Sequence, residues 1–104
     1  MEKIILPLIL IAGTISPASQ GYTIFGAGTL SCGKWIEERS QNSGLSFGME
    51  TWILGFLTGA GWQGANPQDV DNSALYVWVD NFCRENPLKN ITSASAALTI
   101  ELEK

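Results

Sequence analysis

Cysteine occurs at only two positions, Cys32 and Cys83, 51 residues apart. This pair constrains the fold more than any other feature. If the two are joined, the chain between them closes into one loop, and a closure of that length stabilises a fold by about 4 kcal/mol in the chain-entropy model. Whether they join depends on the compartment, and the first 21 residues bear on that. Lys3 precedes an uncharged run from Ile4 to Ala12. Nine residues are too few to cross a bilayer, which needs about 20. Pro17, beyond the run, breaks any helix, and small residues surround it, with Ser16/Ala18 or Ser19/Gly21 suited to the −3/−1 cleavage positions. Residues 1–21 are therefore expected to be a signal peptide, and the mature chain to be periplasmic or secreted. Thiols oxidise there, so one Cys32–Cys83 disulfide is the simplest outcome. Two buried free thiols are the alternative. The Cys-x-x-Cys spacing of a redox pair is absent.

Without residues 1–21, 83 of the 104 residues remain, with five basic and nine acidic side chains and a net charge of −4. A chain this short builds a marginal core and gains much from a covalent staple. Its acidic balance, with no basic cluster, argues against nucleic acid as a partner. Histidine is absent, which removes Ser-His-Asp and Cys-His catalysis and most zinc sites. Gly28-Thr29-Leu30-Ser31-Cys32-Gly33-Lys34 matches seven positions of a P-loop, but Trp35 stands where the Mg²⁺-binding Ser or Thr belongs. Glu37 and Glu38 are adjacent, so on a helix they diverge by about 100° and form no working pair. Asp69-Val70-Asp71-Asn72 lacks the Gly and terminal Glu of an EF-hand. No enzyme activity, cofactor or metal is expected.

The remaining residues read as four helices. Tyr22 to Leu30 is a Gly- and Thr-rich extended arm, with a short strand at Tyr22–Phe25. Ser31 caps a first helix from Cys32 to about Ser40, in which Cys32, Trp35 and Ile36 share a face and Glu37, Glu38 and Arg39 are mostly solvated. Gln41-Asn42-Ser43-Gly44 ends it. Met49, Trp52, Ile53, Phe56, Leu57 and Ala60 then repeat at i, i+3, i+4, i+7, i+8 and i+11, a continuous core stripe on a second helix. Gly48, Gly55 and Gly59 lie together on another side. Each weakens a helix by about 1 kcal/mol relative to Ala, and close approach of a neighbouring backbone within the bundle is the expected return. The pattern Gly55-x-x-x-Gly59 also occurs in membrane helices, but the uncharged run Thr51 to Trp62 is too short to span, so no stable membrane span is expected after cleavage. Gly61 to Asn72 is a turn-rich loop. Asp71 or Asn72 caps a third helix, about Ser73 to Glu85, with Leu75, Trp78, Val79, Phe82 and Cys83 inward and an Asp80–Arg84 i,i+4 pair outward. Asn86-Pro87 stops it. A last helix, capped by Asn90 or Thr92, buries Ala94, Ala97, Leu98 and Leu102. Capping also explains the Asn90-Ile91-Thr92 glycosylation sequon. The expected architecture is an all-α domain over residues 31–104, a small four-helix bundle with one disulfide, preceded by the arm (22–30) and the signal peptide (1–21).

Four tryptophans serve this small chain. Trp35, Trp52 and Trp78 sit at core-stripe positions. Trp62 instead follows Gly61 in the polar loop, where it is either folded back or presented. Presented tryptophans are frequent binding anchors. Trp62, with the polar side chains of Asn66, Gln68 and Asp69, is thus the candidate partner-binding loop.

The segments Ser31-Cys32-Gly33-Lys34-Trp35, Trp52-Ile53-Leu54-Gly55-Phe56-Leu57-Thr58-Gly59 and Trp78-Val79-Asp80-Asn81-Phe82-Cys83-Arg84-Glu85-Asn86-Pro87, followed by an alanine-rich closing helix, resemble the Tai family of immunity proteins against type VI amidase effectors. The chain is also similar to the HdeA-like periplasmic acid-stress chaperones, which are helical and stapled by one disulfide at comparable spacing. Both resemblances run from about Ser31 to Leu102, and neither carries a contact residue across. The first implies an exported, non-enzymatic protein-binding module, immunity- or inhibitor-like, acting as a monomer or homodimer on another protein. The second implies an acid-stress chaperone, and an envelope structural role is the remaining alternative.

Overall fold

The computed structural model describes residues 22–104; the expected signal peptide at 1–21 lies outside the described residues. A 3-10 turn at Gly26–Thr29 precedes four helices: α1 (Cys32–Gln41), α2 (Gly44–Trp62), α3 (Asn72–Glu85) and α4 (Ile91–Leu102). Among the described residues the only β pairing is an isolated antiparallel bridge between Ser31 and Asn90. The molecule is an all-α four-helix bundle, and no described helix is long and apolar enough to cross a membrane. α1 packs on α3 and α2 on α4, while the 3-10 turn lies across α2 and α4.

Each helix starts where a short polar side chain can take up a free N–H. Ser31 accepts from Lys34 N at 3.0 Å, Ser43 from Ser46 N at 3.1 Å, Asp71 from Ala74 N at 2.8 Å and Asn90 from Ser93 N at 2.8 Å. Asp71 and Asn90, not Asn72 and Thr92, are therefore the caps of α3 and α4. Asn90 acts through its side chain, while Thr92 is buried and donates its hydroxyl to Gly28 O at 3.0 Å. α2 is longer than its apolar stripe. It begins at Gly44, because Ser43 caps it and Asn42 turns the chain with φ 49°. Asparagine tolerates this left-handed conformation better than most residues.

The core is built from Trp35, Met49, Ile53, Val79, Ile91 and Leu98, all essentially without exposure, around the Cys32–Cys83 disulfide. The two Cα atoms are 4.8 Å apart. The bridge joins the start of α1 to the end of α3. The free N–H groups of α1 are satisfied at this same end, with Cys32 N donating to Lys89 O (2.7 Å) and Gly33 N to Pro87 O (3.1 Å). Buried Ser46, Ser95 and Thr99 donate to carbonyls of Ser43, Ile91 and Ser95, so no hydroxyl among them is stranded.

Two expectations are corrected. The arm is not extended throughout and pairs as no strand at Tyr22–Phe25. Its second half curls into the 3-10 turn because Trp52 and Thr92 hold it: Trp52 Nε1 donates to Phe25 O at 2.7 Å and Thr92 to Gly28 O. The close backbone approach expected at Gly48, Gly55 and Gly59 is also absent. A Cβ at any of the three would meet nothing within 4 Å, because that side of α2 faces outward. Close packing is found instead at Gly28, where a Cβ would fall inside the Trp52 ring and against the Thr92 hydroxyl. Gly28→Ala is expected to destabilise the fold by about 1–3 kcal/mol by forcing the arm off α2. Urea titration followed by tryptophan fluorescence would measure this, and an unchanged midpoint would contradict the packing described.

Candidate functional site

The end of the bundle opposite the disulfide carries the connection from α2 to α3. α2 runs through Gly61 and Trp62, two residues placed in the loop by sequence reasoning. Gly64 is what stops it. Gly64 N donates to Gly61 O at 3.1 Å and Ala65 N to Ala60 O at 2.9 Å, with Gly64 at φ 110°. This is the paired closure of a Schellman motif, whose positive-φ residue favours glycine. The connection is then tied to α4. Asn66 N donates to Glu103 Oε2 and Gln68 N to Leu102 O, both at 2.8 Å.

These anchors hold the loop over an open cleft of about 520 Å³ between α2 and α3. Leu54, Leu57, Pro67, Leu75 and Leu102 are among its apolar residues, and Gln68, Asp69 and Val70 are exposed at its edge. The four candidate residues are thus divided. Gln68 and Asp69 line this cleft together. Asn66 is exposed and is held through its backbone. Trp62 is presented, at 87% exposure, but lines a separate shallow depression with Phe56, Gly59, Ala60 and Gln63. Gly61 lies at i+7 and i+4 from Leu54 and Leu57, whereas Trp62 lies at i+6 and i+3 from Phe56 and Gly59, and these spacings contain that division. It becomes visible only once α2 is extended to Trp62.

No family model, curated protein or solved structure matches this chain.

A second polar cluster was missed by sequence reasoning. Arg39, expected in solvent, is three-quarters buried between α1, α2 and α3. Its Nε and Nη2 donate to the two oxygens of Asp80 at 3.0 and 2.7 Å, and its Nη1 donates to Glu50 Oε2 at 3.1 Å. Trp35 Nε1 donates to the same Asp80 at 2.7 Å. The guanidinium carbon lies 5.4 Å from the Trp35 ring centroid and 5.7 Å from that of Tyr76. Asp80 therefore pairs across helices with Arg39, not along α3 with Arg84. The bidentate fork is stronger than an exposed i,i+4 pair and draws the carboxylate inward. Asp80, with Glu50, holds the Arg39 guanidinium above its ordinary pKa, and burial pushes the Tyr76 phenol up. The signal available was Arg39 at i+4 from Trp35 and Asp80 at i+4 from Tyr76, which places charge at the edge of two aromatic stripes. Among the described residues no group of three His, Cys, Asp or Glu side chains is gathered to hold a metal ion. Lys34, the lysine of the P-loop-like segment, is engaged by Glu37 and Glu38 at 3.4 and 3.1 Å.

Asp80→Asn is expected to cost about 2–3 kcal/mol, because Arg39 keeps its burial and loses a charged, forked acceptor. Thermal unfolding of the variant would measure it, and a loss below 0.5 kcal/mol, roughly that of an exposed pair, would contradict the geometry. Glu38 supplies a pH dependence. Ser43 and then Lys34 donate to its carboxylate and hold it below the usual range. A lowered folded pKa contributes stability above the unfolded value, and that contribution is lost as pH falls through the folded one. Unfolding free energy followed downward from pH 6 is therefore expected to fall less steeply in Glu38→Gln than in the parent. Parallel curves would show that the Ser43 contact contributes nothing.

Proposed function

We propose that this chain is an exported, non-enzymatic protein-binding module of the immunity or inhibitor kind, presenting the α2–α3 connection to a partner protein. One observation supports this most directly: exposed Gln68, Asp69 and Val70 edge an apolar cleft while the loop backbone is fastened at Asn66 to Glu103 and at Gln68 to Leu102. An exposed loop that is already ordered gives up little entropy on binding. An apolar floor with a polar edge is the anatomy of a recognition patch. A disulfide-closed bundle suits a compartment where thiols are oxidised, and the resemblance to the Tai and HdeA-like families points to the same compartment.

The partner is expected to bind one-to-one and to place an apolar side chain between Leu57 and Val70. Oxidised protein used as bait in an extract of exported proteins would retain it. The double variant Gln68→Ala/Asp69→Lys is expected to weaken the purified complex at least 10-fold in titration calorimetry, as loss of rim contacts and a reversed charge would. Equal affinity for parent and variant would remove the cleft edge as the contact surface.

A further inference from the structure

α2 has an outward face that none of the described residues covers, bordered at Gly55 by the depression it shares with Tyr22–Phe25 of the arm. Gly48, Thr51, Gly55, Thr58, Gly59 and Trp62 are all exposed along it, and Phe47 at its edge is 69% exposed. The one charged residue of α2, Glu50, is turned away and held by Arg39. The two threonine hydroxyls are already satisfied, donating at 2.8 Å to Phe47 O and Leu54 O. This face can be dried without stranding a charge or a hydroxyl among these residues. The three glycines weaken the helix by about 1 kcal/mol each, and no neighbour among the described residues uses the space they leave.

The order of large and small residues identifies what fits there. Residues 48, 55 and 62 are seven apart, so they drift by only about 20° per step and form one line along the helix. Two copies of α2 crossing antiparallel at Gly55 set Trp62 of each against Gly48 of the other. The same crossing sets Thr51 against Gly59 and Gly55 against its own equivalent. Every large member of the line meets a small one, which is the self-complementarity a two-fold interface requires.

We propose that the α2 faces of two copies of this chain pack antiparallel about a two-fold axis through Gly55, with Trp62 seated over Gly48. Area and charge are consistent with this occupant. The paired Phe47 and Trp62 rings supply about 600 Å² of the buried surface. A 19-residue helix is about 28 Å long, and its remaining strip brings the total to the roughly 1,000 Å² that a specific contact needs. Each chain carries −4 without its expected leader, so two copies repel except through a face without charge. Added salt screens that repulsion and tightens the dimer. The loop cleft with Gln68 and Asp69 opens beside this face and shares Thr58 with it, but Gly55 belongs only to the face and Gln68 and Asp69 only to the cleft, so loss of the dimer in Gly55→Lys and loss of partner binding in Gln68→Ala/Asp69→Lys are separate outcomes.

The test is sedimentation equilibrium of the oxidised protein from 1 to 300 μM, at 50 and 500 mM NaCl, for parent and Gly55→Lys. A Cβ at Gly55 meets open space and lysine is a better helix former than glycine, so the variant is expected to stay folded, with an unchanged circular dichroism spectrum. The parent is expected to be dimeric, more tightly so at 500 mM, and Gly55→Lys to dissociate at least 100-fold more readily. Gly55→Cys provides a check that tolerates some loss of fold stability. Its thiols meet across the axis and are expected to form an interchain disulfide under conditions that leave Ala96→Cys, at an exposed position of α4, monomeric. A parent that stays monomeric at 300 μM overturns the proposal. So does a dimer unaffected by Gly55→Lys, a Gly55→Cys protein no more cross-linked than Ala96→Cys, or a monomer that partitions through this face onto phosphatidylcholine vesicles.

Discussion

α1 and α3 run antiparallel and are fastened twice. The covalent fastening joins Cys32 to Cys83. The polar one joins Trp35 and Arg39 to Asp80, a turn or two further along each helix. Between them the buried Trp35 is fixed in position and rotation. With one helix pair set, α2 and α4 have only to lay their apolar stripes against it. A chain of this size gains little from core area alone, so a cross-link and a forked, half-shielded ion pair at neighbouring positions matter more here than they would in a larger domain.

Much of this was legible in the residues. The 3.6-residue stripes of α2 and α3, the cap Ser31 and the cap alternatives that included Asp71 and Asn90 all act locally, so sequence spacing exposes them, and the two cysteines had only each other to pair with. The parts that were not legible depend on partners distant in sequence. Arg39 reads as a solvated residue until Asp80, 41 positions away, is brought beside it. The arm reads as extended until Trp52 and Thr92 supply an acceptor's donors. Gly61 and Trp62 read as loop because glycine is a turn former, yet the stop comes from Gly64, the one nearby position with positive φ. At the candidate site the turn-rich segment was visible, but not which way Trp62 faces, nor that α2 separates it from Gln68 and Asp69.

The glycines show how one residue type serves opposite ends. At Gly28 the missing side chain lets a turn lie against an indole ring. On α2 the same absence leaves a smooth outer surface. Composition alone does not separate these uses. Trp52 lies on the second side of α2 and shares its apolar depression with Tyr22, Phe25 and Phe56, so the helix is apolar around most of its circumference although it has neighbours on only part of it.

The anchoring of the α2–α3 connection has a practical corollary. Both of its cross-ties end on Leu102 and Glu103, two residues at the last turn of α4. A change confined to those two residues would reach the α2–α3 connection without touching the core. Preparations that melt alike would then differ at the proposed contact surface.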